Sequence, residues 1–529
     1  MNDNMQSATF LQKIFDLGGF RLKPEAISSK QKIILWSFLI LTIIVKVFLI
    51  PYNMMDMGDS ATRVWNALMW AQRPFFVLPK SGYPGWFYLM GPIIMITKEF
   101  FYTSAAVMIL LMTVAGYYVY KTTLILTDFK TAFITLCIFM LNPVIFRLNF
   151  EPYAQQPFLT MACITVFFFI KAMGSEESKK YFILSGLFAF LGLFQRFEIL
   201  CLALPFCIIA FASKKEGRYH FIVLSLIFEP IYLFFSQIVY GNPLKPFMVG
   251  YDQVAPNSIQ GLSLGVRMFG FFLPYYFIVI GVTFVLFWYF FKGMIFSYKS
   301  FPKSIFIVLM CAVFMPALLN GIQSLWATLY YMTHYMYFAY YFAPVFAGIG
   351  LSRAVDKYKS PALKFSFVSI VILTCIPFSY MKDFVPAKFN KAFPKVMQFI
   401  VTSEDPDDAR QMIDFIDKNI KLYPALIFDE HNSASSIFYV PYRTMLPAPP
   451  AYDSRVLISG YDSPPDKDGL REAIRDFMQK NKSGIIMVKK SGTPMSEIFS
   501  ELLSNKPYVR NDIQKAGETE KWNIYLYKQ

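Results

Sequence analysis

The sequence predicts a polytopic α-helical membrane protein. It has about eleven transmembrane helices, interfacial helices in its first outer loop and a small C-terminal α/β domain outside. Three observations lead there. The 529-residue chain is 56% hydrophobic and 19% aromatic, where a soluble domain averages roughly 45–50% apolar residues. Apolar runs of about 18 residues or more recur, each long enough to cross roughly 30 Å of hydrocarbon. Composition also changes near residue 381: residues 1–381 hold 29 basic and 15 acidic residues, whereas 382–529 hold 21 and 20. The net charge of +15 therefore sits in the apolar part, where it reads as a topology signal and not as a nucleic-acid surface.

Residues 1–32 are a basic, cytoplasmic N-terminal segment with Lys13, Arg21, Lys23, Lys30 and Lys32. Residues 8–20 read either as an amphipathic surface helix or as a plain tail. The first apolar run starts near residue 33 with no small-residue cleavage pattern behind it, so it is an uncleaved span. Spans are expected near 33–51, 103–120, 131–148, 154–171, 181–195, 199–213, 220–240, 268–291, 305–322, 329–349 and 365–381. With the N-terminus inside, the inner loops carry Lys121 and Lys130; Lys171, Lys179 and Lys180; Lys214, Lys215 and Arg218; Lys292, Lys299 and Lys303; and Arg353, Lys357, Lys359 and Lys364. The short outer loops carry only Arg147, Arg196, Lys245 and Arg267. This alternation follows the positive-inside rule and supports an odd number of spans. The first outer loop, 52–102, and the tail then share the outer face of a plasma (inner) membrane.

In that loop Ala61, Val64, Trp65, Leu68 and Met69 recur at helical spacing. Gly82–Thr97 is apolar but short and broken by Pro84 and Pro92, so it lies in the interface. In the tail, 382–529, helices are expected at Asp408–Ile420, Asp468–Gln479 and Ser496–Leu503. Strands are expected at Ala425–Asp429, Gly484–Val488 and Trp522–Tyr527. This alternation suggests a small α/β or α+β module.

Charged groups beside membrane spans are the candidates for chemistry. Asp59 opens the amphipathic stretch after Gly58, with Asp56 just before it. Asp59 has two compatible readings: a general base that takes a proton from an acceptor hydroxyl, and a helix N-cap paired with Arg63 at i,i+4. Glu151 stands in a predicted outer turn, Arg147-Leu-Asn-Phe-Glu-Pro-Tyr153, and Arg196 and Glu198 in another, Gln195-Arg-Phe-Glu198. Each reads as an interfacial ion pair or as one wall of a shared cavity, where arginine suits a phosphate. The aromatic stretch around His334 reads as packing and interfacial belt or as a groove for a lipid chain or sugar.

All six cysteines lie in apolar runs, no CxxC pair exists and the three histidines are far apart. No zinc site, disulfide framework or cofactor is signalled, and a divalent metal has no motif behind it.

At these residues the chain resembles the GT-C superfamily of polyprenyl-phosphate-sugar-dependent glycosyltransferases, in the style of the dolichyl-phosphate-mannose-protein mannosyltransferase-like family. The segments that carry the resemblance are Gly58-Asp59-Ser-Ala-Thr-Arg-Val-Trp-Asn-Ala67, Tyr83-Pro-Gly-Trp-Phe-Tyr-Leu89, Phe150-Glu-Pro-Tyr153 after Leu141-Asn-Pro143, and Gln195-Arg-Phe-Glu198. They cover the membrane part, 33–381. The resemblance implies inverting transfer on the extracytoplasmic face, from a sugar on a polyprenyl phosphate to a glycan, lipid or protein acceptor. Asp59 takes the place of the family's catalytic acid. Ser60 follows it where the family has a paired carboxylate, so a one-carboxylate version is implied, with Asp56 as helper. Arg63, Arg147 and Arg196 are candidates to stabilise the leaving phosphate, and Glu151, Tyr153, Glu198 and His334 to line the substrate cavity. Three rival classes remain, of which one, a non-enzymatic membrane anchor for the tail domain, leaves the buried outer charges unexplained. A transporter or flippase of lipid-linked sugars would favour internal repeats and midplane charges, of which only Glu229 and the short helices near 195 are reminiscent. An O-antigen ligase or polymerase would place its large functional loop late, and here the acidic loop comes first.

Overall fold

Ser28 opens the first helix. Gln31 donates its amide to the Ser28 hydroxyl at 3.3 Å, and the Gln31 side chain accepts from the Ser28 amide at 2.9 Å. This reciprocal cap satisfies two donors that a helix start leaves free. The computed structural model describes residues 22–50, 67, 70–71, 84–97, 101–142, 149, 154–244, 284–325, 341–373, 411, 415–416, 418–429, 456–458, 467–490, 493–504, 513–519 and 522–528.

The first helix, α1 (Ser29–Leu49), has two faces. Leu35 and Leu39 are buried against the bundle, while Trp36, Ile40, Leu41, Ile44 and Phe48 are exposed. A face this apolar belongs against hydrocarbon. The chain continues through α2 (Gly85–Thr97), α3 (Phe101–Leu126), α4 (Phe129–Leu141), α5 (Gln155–Gly174), α6 (Ser178–Gln195), α7 (Leu200–Ser213), α8 (Arg218–Leu226), α9 (Phe228–Tyr240), α10 (Phe284–Ser300), α11 (Lys303–Leu325), α12 (Ala343–Val355) and α13 (Pro361–Leu373). Short links after α3, α5, α7, α10 and α12 turn the chain back. Helix α5 lies deepest, and its Phe169 ring packs on Phe206, Phe221 and Phe182 with centroids 4.4, 5.0 and 5.6 Å away. Helices α10 and α12 cross so closely that a Cβ on Gly350 would meet the Tyr289 carbonyl oxygen at 2.0 Å.

Among the described residues, four helical stretches are long and apolar enough to cross a bilayer: Ser29–Phe48, Tyr102–Leu126, Gln155–Gly174 and Arg218–Tyr240. Shorter apolar helices accompany them, and the protein is a multi-pass membrane protein. The expected interfacial segment is α2, which at 13 residues reaches about 20 Å and falls short of the hydrocarbon thickness. Its Trp86, Met90 and Ile94 pack with Ala67 and with Met108 of α3.

Several boundaries differ from expectation: α3 runs to Leu126 and α12 to Val355, past the expected ends at 120 and 349. Helix α10 runs to Ser300, nine residues past the expected end at 291, because Lys292 and Lys299 sit on the helix and not in a loop. Lys292 keeps its ammonium 4.7 Å from the Trp288 ring, as a long side chain can while its backbone stays helical. The expected span 220–240 is two helical pieces interrupted at Ile227. Pro230 lacks the N–H that would bond back to Leu226, and its ring crowds that turn. Of the expected spans 268–291 and 329–349, residues 268–283 and 329–340 lie outside the described residues, as do residues 8–20.

The described residues of the tail build a five-stranded sheet in the order β2-β1-β3-β5-β4. The strands are β1 (Ala425–Phe428), β2 (Val456–Ile458), β3 (Ser483–Lys489), β4 (Ile513–Glu518) and β5 (Trp522–Lys528). β1 pairs in parallel with β2 and β3, and β5 pairs antiparallel with β3 and β4. Helix α14 (Lys467–Lys480) buries Leu470, Ile474 and Phe477 at i, i+4 and i+7. With α15 (Pro494–Ser504) it covers one face of the sheet through Met495, Ile498 and Phe499. Phe415, Ile416 and Ile420 pack with Trp522 in a second apolar cluster. The sequence reading found three of these strands. β2 is three residues long and β4 is a mostly exposed, polar edge, so neither carries an apolar alternation.

Candidate active site

Helix α6 ends because Arg196 is extended, with φ −158° and ψ 141°. A single 3₁₀ turn, Phe197–Ile199, then carries the chain into α7. This sharp reversal sets two side chains that are two residues apart against each other. Arg196 Nε donates to Glu198 Oε1 at 2.9 Å, and Nη2 donates to the same oxygen. The side chains are only 13% and 7% exposed, so the pair is largely desolvated. Such a pair must be well made to offset the loss of water, and removal of either partner leaves a buried charge. Glu198 Oε2, the other carboxylate oxygen, is buried and accepts nothing in the structure.

Other buried polar groups gather at the same end of the bundle. Gln195 Oε1 and Gln155 Oε1 are buried without a donor. Gly192 of α6 lies against Met161 of α5, since an added Cβ there would meet Met161 Cβ at 3.2 Å. From that contact Gln195, the last residue of α6, lies three residues on, and Gln155 lies six residues back along the antiparallel α5, so at about 1.5 Å per helical residue both stand toward the same end of the bundle. The start of α2 is seated on the end of α6, because a Cβ on Gly85 would meet Phe194 O at 2.5 Å and Gln195 Nε2 at 2.7 Å. The root of the first loop belongs here too: Lys46, near the end of α1, donates from Nζ to Asn149 Oδ1 at 3.2 Å, and both residues are fully buried.

The opposite end of the bundle is built differently. Glu25 bonds Lys121 and takes Lys171 at 2.7 Å. Lys215 donates to Ser175 O at 3.3 Å, and Lys130 pairs with Asp356. Every one of these charges has a partner of opposite sign or a carbonyl.

Of the residues singled out from sequence, the structure describes Arg196 and Glu198 and brings them into contact. Asp56, Asp59, Arg63, Arg147, Glu151, Tyr153 and His334 lie outside the described residues. Among the described residues no group of three or more His, Cys, Asp or Glu gathers to hold a metal. The sequence reading missed Lys46 and Gln155, and it noted Asn149 and Gln195 only as parts of longer stretches. A lysine inside an apolar run was the available signal, and a Gln-Gln pair opening a span was a weaker one.

Residues 80–235 match the family described as dolichyl-phosphate-mannose-protein mannosyltransferase. That stretch runs from just before α2 into α9 and includes Gln155 and the Arg196–Glu198 turn. In structure, the chain is similar to ArnT from Cupriavidus metallidurans bound to undecaprenyl phosphate, with a TM-score of 0.61 at 8% identity over 94% of this chain and 98% of that one. The apo state of the same protein gives 0.56 at 8% identity over 93% and 98%. The archaeal oligosaccharyltransferase AglB from Archaeoglobus fulgidus, in complex with an inhibitory peptide and a dolichol-phosphate, gives 0.48 at 12% identity over 87% and 70%. No curated protein matches the chain in sequence. The chain has the GT-C fold, and over residues 80–235 it carries the sequence pattern of PMT-like glycosyltransferases.

Proposed function

We propose that the chain is an inverting membrane glycosyltransferase that moves a sugar from a polyprenyl-phosphate carrier to an acceptor hydroxyl on the extracytoplasmic face. The observation that carries the reading is the group of buried, unfilled acceptors, Glu198 Oε2, Gln195 Oε1 and Gln155 Oε1, at one end of the bundle. Buried acceptors without donors are costly. A hydroxyl-rich sugar brings the missing donors, and the apolar helices beside them suit its lipid carrier. The similarity to a fold whose representative binds undecaprenyl phosphate supports the same choice of donor.

In this reading the acceptor oxygen attacks the anomeric carbon as Asp59 takes its proton, with Asp56 as helper. The bond from the anomeric carbon to the carrier phosphate breaks, and the phosphate leaves with the electron pair. Attack opposite the leaving group inverts the anomeric centre. Arg63, Arg147 or Arg196 would meet the charge that develops on the phosphate. Because Arg196 already holds Glu198, it contributes less net charge than a lone arginine. Glu151, Tyr153 and His334 are assigned to the cavity wall. The acceptor is a glycan, a lipid or a protein. Residues 33–381 form the catalytic unit of a plasma (inner) membrane protein, with 1–32 cytoplasmic and 382–529 outside.

The test is retention of lipid and turnover measured side by side. Detergent-purified wild type and Asp59→Asn are each mixed with a panel of undecaprenyl-phosphate sugars, and bound lipid is read by native mass spectrometry. Retention of one sugar-lipid by both forms, with transfer in membrane extracts only by the wild type, is the expected result. Equal transfer by both would remove Asp59 as the base. Retention without discrimination among sugars would turn the reading toward a transporter.

A further inference from the structure

The Glu198 end of the bundle holds a charge that the proposed reaction does not use. Lys46 stands one turn from the end of α1, whose outward face is the apolar row of Ile40, Leu41, Ile44 and Phe48. Its own side chain points the other way and is fully buried, with Nζ on Asn149 Oδ1 across 103 residues of chain. A methionine would fill the same space without desolvating a charge, so packing alone does not account for an ammonium here. An ionisable residue inside a span marks function more often than stability, and its partner shows what it acts on.

That partner is informative. Asn149 stands two residues from Arg147 and two from Glu151 in the chain. Helix α1 ends three residues after Lys46, and the first outer loop with Asp56 and Asp59 follows. The Lys46–Asn149 bond therefore joins the roots of two segments that carry candidate site residues. We infer that Lys46 is a positioning residue: by fixing Asn149 it ties the end of α1 to the link between α4 and α5. This rests on the proposed glycosyl transfer for its consequence, but not for its geometry. A lysine suits the task because its ammonium offers several donors on a flexible stem.

The experiment uses the full chain in nanodiscs, as wild type, Lys46→Met, Lys46→Arg, Asn149→Leu and the Lys46→Met/Asn149→Leu double variant. Two readouts are taken. The first is hydrogen–deuterium exchange of peptides covering 143–153, without added ligand. The second is steady-state transfer from the undecaprenyl-phosphate sugar that the wild type retains. Lys46→Met and Asn149→Leu each raise exchange in that segment several-fold and lower kcat about 10- to 100-fold with donor KM little changed, the size expected when a reacting geometry slips by about an ångström. Lys46→Arg restores most of both, and the double variant is no worse than either single. Wild-type exchange and kcat in Lys46→Met, or strict additivity in the double variant, would overturn the inference. So would a rate loss that only follows the unfolded fraction. If Lys46→Met does not fold, Asn149→Leu and Lys46→Arg decide the same question. A wild type that transfers nothing would sink the proposed function, while the exchange measurements would still decide whether Lys46 holds the segment.

Discussion

The two ends of the helical bundle solve the same problem in opposite ways. At the Glu25 end, cations near the helix ends meet carboxylates or carbonyls, and most of these groups keep some contact with water. At the Glu198 end, the unfilled acceptors include a carboxylate oxygen and side-chain amide oxygens, whereas among the described residues the unpaired buried atoms at the Glu25 end are the hydroxyls of Tyr120, Thr122, Ser297 and Ser304. Paired, half-wet charges fix helix ends at little cost, since exposed pairs contribute only about 0–1 kcal/mol each. Buried, unfilled acceptors cost stability and offer a ligand something to complete. The difference fits the proposal that one end holds the bundle together and the other carries the chemistry.

The largest expected effect tests that separation directly. Asp59→Asn removes the proposed base and should lower transfer about 10²- to 10⁴-fold while the sugar-lipid is still retained. Radiolabelled sugar transfer in membranes, beside retention in micelles, checks both halves. Glu198→Ala should follow. It leaves the Arg196 guanidinium buried without its carboxylate, which costs about 3–5 kcal/mol, and denaturant unfolding in micelles measures the loss. Glu198→Gln keeps shape and volume, so it should fold better than Glu198→Ala yet weaken sugar-lipid binding. An unchanged donor affinity in Glu198→Gln would remove that carboxylate from the ligand wall.

How far this contrast was visible beforehand depends on which interactions are local. The turn Gln195-Arg-Phe-Glu198 stood out because charges interrupt an apolar run, and the contact it makes is between residues two apart. The amphipathic pattern of α14 was equally local, and its Leu470, Ile474 and Phe477 are buried as their spacing implies. Lys46 was not legible in the same way. A lysine near the end of a span reads as a topology marker, and only a partner 103 residues away shows that it turns inward. Lys292 misled in the opposite direction. Its charge suggested a loop, but helix geometry places its ammonium over Trp288 and the helix continues. Strand β4, Ile513–Glu518, was hidden because an edge strand with an exposed face needs no apolar alternation. Its place follows from pairing with β5, which is a non-local fact.

At the Glu25 end, substitutions should change stability and leave transfer alone. Gly217 has φ +86°, and a Cβ there would sit 2.5 Å from the Lys179 Cα, which is backbone and does not yield. Gly217→Ala should therefore cost about 1–3 kcal/mol, seen as a lower melting temperature in micelles, with donor KM unaltered in the folded fraction. A raised KM would mean that the two ends are coupled and that the contrast between them is too simple.

The smallest effect is also the most specific to this end, because it depends on pH. Burial pushes the Glu25 carboxyl up, but the hydrogen bonds and charges of Lys121 and Lys171 outweigh it and hold the group below the ordinary carboxylate value of 4.5. A carboxyl whose folded value is depressed contributes stability above its unfolded value, and that contribution is lost as pH falls through the folded one. Wild type should accordingly melt higher than Glu25→Gln at neutral pH. The gap should begin to close below about pH 4.5 and be gone at lower pH, where the carboxyl is protonated in the folded protein as well. Glu25 is partly open to water, so the gap is expected to be modest and to shrink further in high salt. A gap that persisted unchanged into acid would mean that Glu25 acts through packing of the segment before α1 and not through its charge. The lysines at this end would then be topology signals that happen to find a partner, and the Glu25 end would be held by the close contact of Leu22 with Gly174 and by the Lys23 amide on Ile125 O.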